Sequence, residues 1–288
     1  MLPTRDLLSL SDHGVDDLLR LVRRANELKQ LSDERCMPQS LRDRRIGLIV
    51  DDGGWRNTTA FDLGIQVMGG LCIHVPIKLG QRETIEDLGH YLDNWFDAVV
   101  VRTRSLADLR DLAAAMRSPV INARTRANHP CETLGDLSFL WSERHAIDGL
   151  KVVAVAADDN ILRSWVEAAA VLPIEVVQVF PETWHLRNPT LLIPRFRATE
   201  NMSELVDADV LITDCWPDEG PAEALLPFQI TARLLDSLKP ETAFIPCPPV
   251  TRGQEVSEDA MLSPLCRVVQ AKEFLLHSQN ALLEWVLA

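Results

Sequence analysis

Short apolar runs alternate with amphipathic stretches along most of this chain. Residues 45–50 form the first apolar run, and a helical pattern over 59–68 follows it. Apolar runs of this length fit buried strands, whereas apolar residues at three- and four-residue spacing fit helices. Further strands are predicted at 71–75, 98–102, 119–122, 151–156, 175–180, 209–213 and 243–246, and further helices at 11–30, 85–92, 106–116, 131–145, 161–172, 202–206 and 270–287. The alternation predicts an α/β protein with two doubly wound parallel sheets.

A long predicted helix before Gly149 interrupts the alternation, which then restarts. At roughly 150 residues per domain, a chain of 288 residues predicts about two domains. We therefore predict a first domain over residues 1–140 and a second over residues 141–288.

The charge of the chain limits its partners. The formal net charge is -13, which argues against nucleic acid and anionic membranes as partners. An anionic substrate would need a local cationic pocket. No apolar run reaches 18 residues, and the amino terminus lacks the features of a secretory signal. The six cysteines include no CxxC pair, which predicts reduced thiols in a cytoplasmic protein.

Cations follow several of the predicted strands, where ligands of open parallel sheets bind. They are Arg56, Arg102, Arg104, His129 and Arg252. Their positions predict an anion site inside an acidic protein. His129 and Glu132 have the i, i+3 spacing of metal ligands, but no third ligand accompanies them, so no metal site is predicted.

The glycine-rich stretch at residues 52–59 admits two interpretations. Backbone N–H groups at the start of the following helix are able to hold a phosphate, with Arg56 as a bidentate donor. The alternative is a strand-to-helix turn that uses glycine for its tight geometry. No Gly-Lys-Ser/Thr follows, so this is not a Walker A loop.

Five ordered stretches together resemble the aspartate/ornithine carbamoyltransferase family, and the ornithine branch most closely. Residues 129–132, His-Pro-Cys-Glu, resemble the family's His-Pro-Cys-Gln. Residues 246–256 resemble its His-Cys-Leu-Pro-x-x-Arg-Gly-x-Glu-Val. The other three stretches are 79–87, 98–103 and 207–216.

The resemblance implies both a fold and a reaction. It implies a carbamoyl-phosphate-binding-like first domain, an amino-acid-binding-like second domain, long interdomain helices, and a C-terminal helix at about 270–287 that returns to the first domain. The reaction moves a carbamoyl group from carbamoyl phosphate, or another small phosphorylated ligand, to a small amine or amino acid. The family assembles as homotrimers, and the reaction needs no cofactor.

Matching positions suggest roles for individual residues. Arg56 and Arg102 would grip the phosphate, while Arg102, His129 and Arg252 would contact the carbamoyl oxygen. Asp214 and Cys247 would orient the acceptor, and Asn160 would help to bind its carboxylate. Arg82 would reach the site of an adjacent subunit.

Several positions depart from the family pattern. Residues 54–58, Gly-Trp-Arg-Asn-Thr, replace Ser-Thr-Arg-Thr-Arg, so Trp55 and the amide of Asn57 stand in the phosphate loop. Glu132 replaces a neutral glutamine, and it would either accept a hydrogen bond from the carbamoyl NH₂ or repel phosphate. Asp218 and Glu219 replace Ser-Met, which favours a polyamine-like, guanidinium or hydroxylated acceptor over ornithine. A non-catalytic paralogue that binds a ligand or a partner is the alternative to an enzyme.

Overall fold

The computed structural model describes residues 5–51, 53–191, 193–218 and 222–288. These residues form two compact units. One unit contains the chain up to His145 together with Lys272–Ala288, and the other contains Ala146–Ala271. Each unit carries its own parallel sheet, which confirms the predicted fold class. None of the described helices is both long and apolar enough to span a bilayer.

The first unit is built on four parallel strands in the order β2-β1-β3-β4. The strands are β1 (Arg45–Val50), β2 (Leu71–Val75), β3 (Ala98–Arg102) and β4 (Val120–Arg124). Its first five helices are α1 (Val15–Asp33), α2 (Trp55–Val67), α3 (Ile85–Asp93), α4 (Leu106–Ala115) and α5 (Pro130–Arg144). β3 is apolar without alternation because both of its faces are buried, whereas β2 is an edge strand and is mostly exposed.

The second unit is built on five parallel strands in the order β7-β6-β5-β8-β9. The strands are β5 (Lys151–Val155), β6 (Glu175–Val179), β7 (Phe196–Thr199), β8 (Val210–Thr213) and β9 (Ala243–Pro246). Its helices are α6 (Asn160–Val171), α7 (Ala222–Leu225) and α8 (Ala232–Leu235). The chain moves outward from β5 to β7 and then returns to the other side of β5 at β8. Such a switch point opens a ligand crevice beyond the carboxyl ends of β5 and β8.

The last helix, α9 (Val268–Val286), contributes its residues from Lys272 onward to the first unit, as predicted. The structure differs from the predicted elements at β7 and at the start of α2. β7 was not predicted, because Phe-Arg-Ala-Thr has no apolar run and forms an edge strand of mixed exposure. α2 begins at Trp55 rather than at residue 59, so Arg56 and Asn57 lie in its first turn. The predicted domain boundary at residue 140 stays a prediction.

Candidate active site

The turn between β1 and α2 brings Arg102 to the start of a helix. Gly53 and Gly54 have φ angles of 46° and 75°, in the left-handed region that favours glycine. A Cβ at Gly54 would overlap the guanidinium of Arg102, which extends from the end of β3. The missing side chain therefore lets a cation lie against the N-terminus of α2. The free backbone N–H groups at the start of α2 and the guanidinium of Arg102 together form an anion-binding site, the anion seat.

The first turn of α2 carries three of the predicted binding residues. The guanidinium of Arg56 lies 4.9 Å from the ring centroid of Trp55, whose side chain is 67% exposed. Asn57 is only 3% exposed, and neither its Nδ2 nor its Oδ1 has a hydrogen-bond partner. Because a buried amide without partners is costly, Asn57 is suited to bind a ligand.

His129 and Glu132 lie together at the start of α5. The distance between His129 Nε2 and Glu132 Oε2 is 3.7 Å, and both side chains are nearly enclosed. Burial lowers the pKa of His129 to about 4, and the charges of Arg102, Arg124 and Lys272 act in the same direction against Glu132. The imidazole is therefore neutral near pH 7 and is available as a hydrogen-bond donor.

A buried charge cluster stands behind this pair. Lys272 of α9 places its Nζ 2.8 Å from Glu132 Oε1 and 2.6 Å from Asp136 Oδ1. Burial would raise the pKa of Glu132, but Lys272, His129 and Arg56 outweigh that effect and lower it. Burial raises the pKa of Asp136 to about 6. Both carboxylates are therefore ionised near pH 7, and Glu132 keeps its charge to a lower pH than Asp136. The sequence did not reveal Lys272, because α9 shows only an apolar packing pattern.

A small cavity of about 160 Å³ lies beside the ends of β1 and β3. Its lining includes Asp51, Lys78 and Arg104. Asp51 is half-buried, and its Oδ2 accepts a hydrogen bond of 2.8 Å from Thr103 Oγ1. The predicted residue Arg82 is exposed and lines a neighbouring cavity of about 470 Å³.

The second unit has its own cavity, of about 500 Å³, at the switch point between β5 and β8. Its lining comes from the segments that follow β5, β6 and β8: Ala157, Asp158, Asp159, Thr183, Trp184, His185, Arg187, Cys215, Trp216, Pro217 and Asp218. The predicted residue Asp218 therefore lines this cavity. The predicted residue Glu219 lies outside the described residues, as does Asp52 of the glycine-rich stretch.

This cavity combines carboxylates with indole rings. Asp158 is paired with Arg163 at 2.6 Å, whereas Asp159 and Asp218 are exposed carboxylates of the lining. Trp216 is partly buried, and its Nε1 has no hydrogen-bond partner. Carboxylates beside aromatic faces favour a cationic ligand.

Other predicted residues of the second unit lie at neighbouring strand ends. Asn160 is buried as the first residue of α6, and Asp214 follows β8. Cys247 follows β9, and its N–H donates to the carbonyl oxygen of Thr213 at 2.9 Å. Arg252 lies in an exposed turn, where it donates to the carbonyl oxygen of Glu258 at 3.1 Å. None of these four lines the 500 Å³ cavity, so their roles stay predictions.

Comparison with family models gives a consistent result for both halves of the chain. Residues 5–142 match the aspartate/ornithine carbamoyltransferase carbamoyl-P binding domain. Residues 148–286 match the Asp/Orn binding domain of the same family.

Curated relatives and solved structures cover nearly the whole chain. The ornithine carbamoyltransferase of Chlorobaculum tepidum is 32% identical, over 93% of this chain and 83% of that protein. The anabolic ornithine carbamoyltransferase of Pseudomonas aeruginosa is 30% identical, over 97% and 96%. The structure of the Pyrococcus furiosus ornithine carbamoyltransferase superposes with a TM-score of 0.93 at 28% identity, covering 98% of this chain and 96% of that one.

Proposed function

Because this chain belongs to the aspartate/ornithine carbamoyltransferase family, we propose that it transfers the carbamoyl group of carbamoyl phosphate to the neutral amine of an acceptor that also carries a cationic group. The first unit would bind carbamoyl phosphate and the second would bind the acceptor. The named relatives are carbamoyltransferases, so nothing favours the non-catalytic alternative.

The observation that carries the proposal is the anion seat of the first unit. Arg102 lies against Gly54 at the N-terminus of α2, beside the buried, unpartnered amide of Asn57. A phosphate at this position would receive charge-assisted hydrogen bonds, and Arg56 would supply a second cation. Two cations and a helix N-terminus offset the repulsion from a chain with a net charge of -13.

The first unit also offers groups for the carbamoyl moiety. As the neutral acceptor nitrogen attacks the carbamoyl carbon, the bond to the phosphate oxygen breaks, and the departing phosphate takes up the proton that the nitrogen loses. The carbamoyl oxygen gains negative charge in this step, and neutral His129 would donate a hydrogen bond to it. The ionised Glu132 would accept a hydrogen bond from the carbamoyl NH₂. The product is a ureido compound.

The acceptor is inferred from the cavity of the second unit. Asp159, Asp218, Trp184 and Trp216 suit a polyamine-like or guanidinium group better than a free carboxylate. Asp214 and Cys247 would orient the attacking amine, and Asn160 would hold a polar group of the acceptor. Arg252 would assist at the carbamoyl oxygen.

Assembly and location are further parts of the proposal. By analogy with the family, we infer a cytoplasmic homotrimer in which Arg82 reaches the site of an adjacent subunit. Light scattering is expected to give a mass three times that of the 32.3 kDa chain. A monomer mass would contradict the assigned role of Arg82.

Calorimetric titration of carbamoyl phosphate and of inorganic phosphate tests the anion seat. We expect millimolar or tighter binding, weakened about 100-fold in Arg102→Ala, because charge-assisted hydrogen bonds contribute about 1.5–3 kcal/mol each. Arg110→Ala is the matched control, since Arg110 is an arginine of α4 that pairs with Asp12 at 3.7 Å. Absence of binding by the unmodified protein would overturn the proposal.

A panel of amines assayed for ureido product tests the acceptor. We expect faster product formation with polyamine-like, guanidinium-bearing or hydroxylated amines than with ornithine. Full activity with ornithine would contradict the inference from Asp218. Phosphate binding without product from any amine would favour the non-catalytic alternative.

A further inference from the structure

Three potential metal ligands meet at the edge of the first sheet, in residues that the proposed reaction does not use. Cys72 and His74 belong to β2, which is the edge strand of the order β2-β1-β3-β4. Residues two positions apart on a strand point to the same face, so the thiol and the imidazole lie side by side. Asp62 comes from α2, and its side chain meets both of them.

The ligand atoms are already close together. The thiol, the imidazole nitrogen and the carboxylate oxygen all lie within 4.8 Å of one another. His74 Nε2 is 3.2 Å from Asp62 Oδ2, while Gln66 Nε2 donates to Asp62 Oδ1 at 2.7 Å. Gln66 therefore fixes the carboxylate with Oδ2 toward the imidazole. Such an outer hydrogen bond is a usual feature of metal sites, because it orients the ligand before the ion arrives.

We propose that Asp62, Cys72 and His74 bind a thiophilic divalent cation of the Zn²⁺ class. Sulfur, imidazole and carboxylate are the ligands that Zn²⁺ prefers, and tetrahedral bonds of about 2.0–2.3 Å place such atoms about 3.3–3.8 Å apart. Atoms that lie within 4.8 Å of one another would therefore need to approach by up to about 1 Å. The fourth position of the tetrahedron stays open to water, since His74 is exposed. Mg²⁺ and Ca²⁺ are disfavoured, because both prefer an all-oxygen shell.

Protonation of the Cys72 thiol opposes metal binding, whereas the anionic carboxylate of Asp62 favours it. Burial and the Asp62 carboxylate raise the pKa of the Cys72 thiol to about 12, so the thiol is protonated when no ion is present. Burial opposes ionisation of Asp62, but hydrogen bonds from Gln66, His74 and Cys72 lower its pKa and keep it anionic. An entering cation would take the place of the thiol proton and of the His74 contact.

A bound ion would join α2, whose first turn is part of the anion seat, to the edge strand β2. Asp62 lies in the middle of α2, the helix whose first turn carries Arg56 and Asn57. The ion would link this helix to the edge strand β2 and would stabilise the first unit by mass action. The consequence is measurable without any assay of carbamoyl transfer, so failure of the metal proposal and failure of the proposed function are distinguishable.

Zinc titration of the reduced protein, in competition with a chromophoric chelator, tests the proposal. We expect one Zn²⁺ per chain, a rise in the unfolding temperature on addition of Zn²⁺, and a thiolate-to-metal absorption band when Co²⁺ replaces Zn²⁺. Cys72→Ser and His74→Gln are each expected to weaken binding by about 100-fold or more, and Gln66→Ala by about 10-fold. Cys36→Ser is the matched control, because Cys36 is a free, exposed thiol outside the cluster.

The binding of Zn²⁺ by these variants shows whether the cluster is the metal site. Loss of binding in Cys72→Ser and His74→Gln, with retention in Cys36→Ser, supports the site. The proposal is overturned if the unmodified protein takes up no Zn²⁺, or if His74→Gln binds as tightly as the unmodified chain. Circular dichroism and unfolding temperatures of the metal-free variants show that each one is folded, so weak binding is not confused with misfolding.

Discussion

The anion seat of the first unit and the acceptor cavity of the second differ in where their charges lie. In the first unit, His129, Glu132 and Lys272 are almost completely buried and contact one another. In the second unit, Asp159 and Asp218 are exposed at an open cavity. Buried charges depend on their partners for stability, whereas exposed charges are solvated by water. Substitutions should therefore affect folding and binding together in the first unit, but mainly binding in the second.

The same contrast bears on the proposed binding of an anion by a chain with a net charge of -13. Arg56 and Arg102 lie at a helix N-terminus, and the neighbouring carboxylate of Glu132 is balanced by Lys272. The described lining of the acceptor cavity holds the exposed carboxylates of Asp159 and Asp218 together with one arginine, Arg187. The overall acidity of the chain suits an amine more than a phosphate.

Removal of Lys272 should have the largest effect. Lys272→Met leaves Glu132 and Asp136 buried without their cation, and we expect a loss of about 3–5 kcal/mol in the free energy of unfolding. Lys239→Met is the control, since Lys239 makes a more exposed pair with Asp209 at 3.3 Å and should cost less than about 1 kcal/mol. Denaturant unfolding followed by tryptophan fluorescence measures both. Equal losses of stability in the two variants would contradict the expected difference between the buried charges of the first unit and the exposed charges of the second.

The pH dependence of stability is the second prediction. The pKa of His129 is lowered to about 4, from an ordinary value of 6.5, so the unfolded chain binds more protons between these values. His129 therefore contributes about 3 kcal/mol to the free energy of unfolding above pH 6.5, and this contribution is lost as the pH falls toward 4. His277 acts in the same direction, with its pKa also lowered to about 4 by burial.

Asp136 opposes this trend, because its pKa is raised to about 6 and its protonation favours the folded state as the pH falls from 6 to 3.8. Unfolding at a series of pH values should therefore show a net loss of stability below pH 6.5. His277→Leu should reduce the slope, since it removes one of the two histidine contributions. A flat profile between pH 4 and 6.5 would contradict the neutral state assigned to His129.

The fold was predictable because parallel strands covered on both faces are continuous apolar runs. β1 and β3 coincide with the predicted residues 45–50 and 98–102 for this reason. β7 was missed because an edge strand does not need an apolar sequence. The start of α2 was misplaced because the positive φ angles of Gly53 and Gly54, which set it, are invisible to periodicity.

The candidate site was predictable only in part. Arg102 and Asp218 could be found because Arg102 ends β3 and Asp218 lies in the segment after β8, which is where an open sheet binds ligands. Lys272 could not, since its partners Glu132 and Asp136 are about 140 residues away in the chain and only the docking of α9 unites them. The same is true of Asp62 and of Cys72 and His74 on β2, because only the packing of α2 against the sheet brings them together.

Neutralising Glu132 should increase the affinity of the first unit for phosphate. Glu132→Gln removes a negative charge near the anion seat and leaves Lys272 paired with Asp136. We expect phosphate to bind about 10-fold more tightly, measured by calorimetry, because the local charge becomes more positive. Glu34→Gln is the control, since Glu34 is an exposed carboxylate at the end of α1. Weaker binding in Glu132→Gln would mean that the carboxylate is itself needed by the ligand.

The smallest effect is expected at the acceptor cavity. Asp218→Asn should raise the KM for a guanidinium or polyamine acceptor by about 5-fold and leave kcat unchanged, because an exposed carboxylate contributes only a screened attraction. Glu223→Gln is the matched control, being an exposed carboxylate of α7 that does not line the cavity. The effect should shrink as salt is added, since ions screen exposed charges. An equal rise in KM for an uncharged acceptor would show that Asp218 shapes the cavity and does not attract a cation.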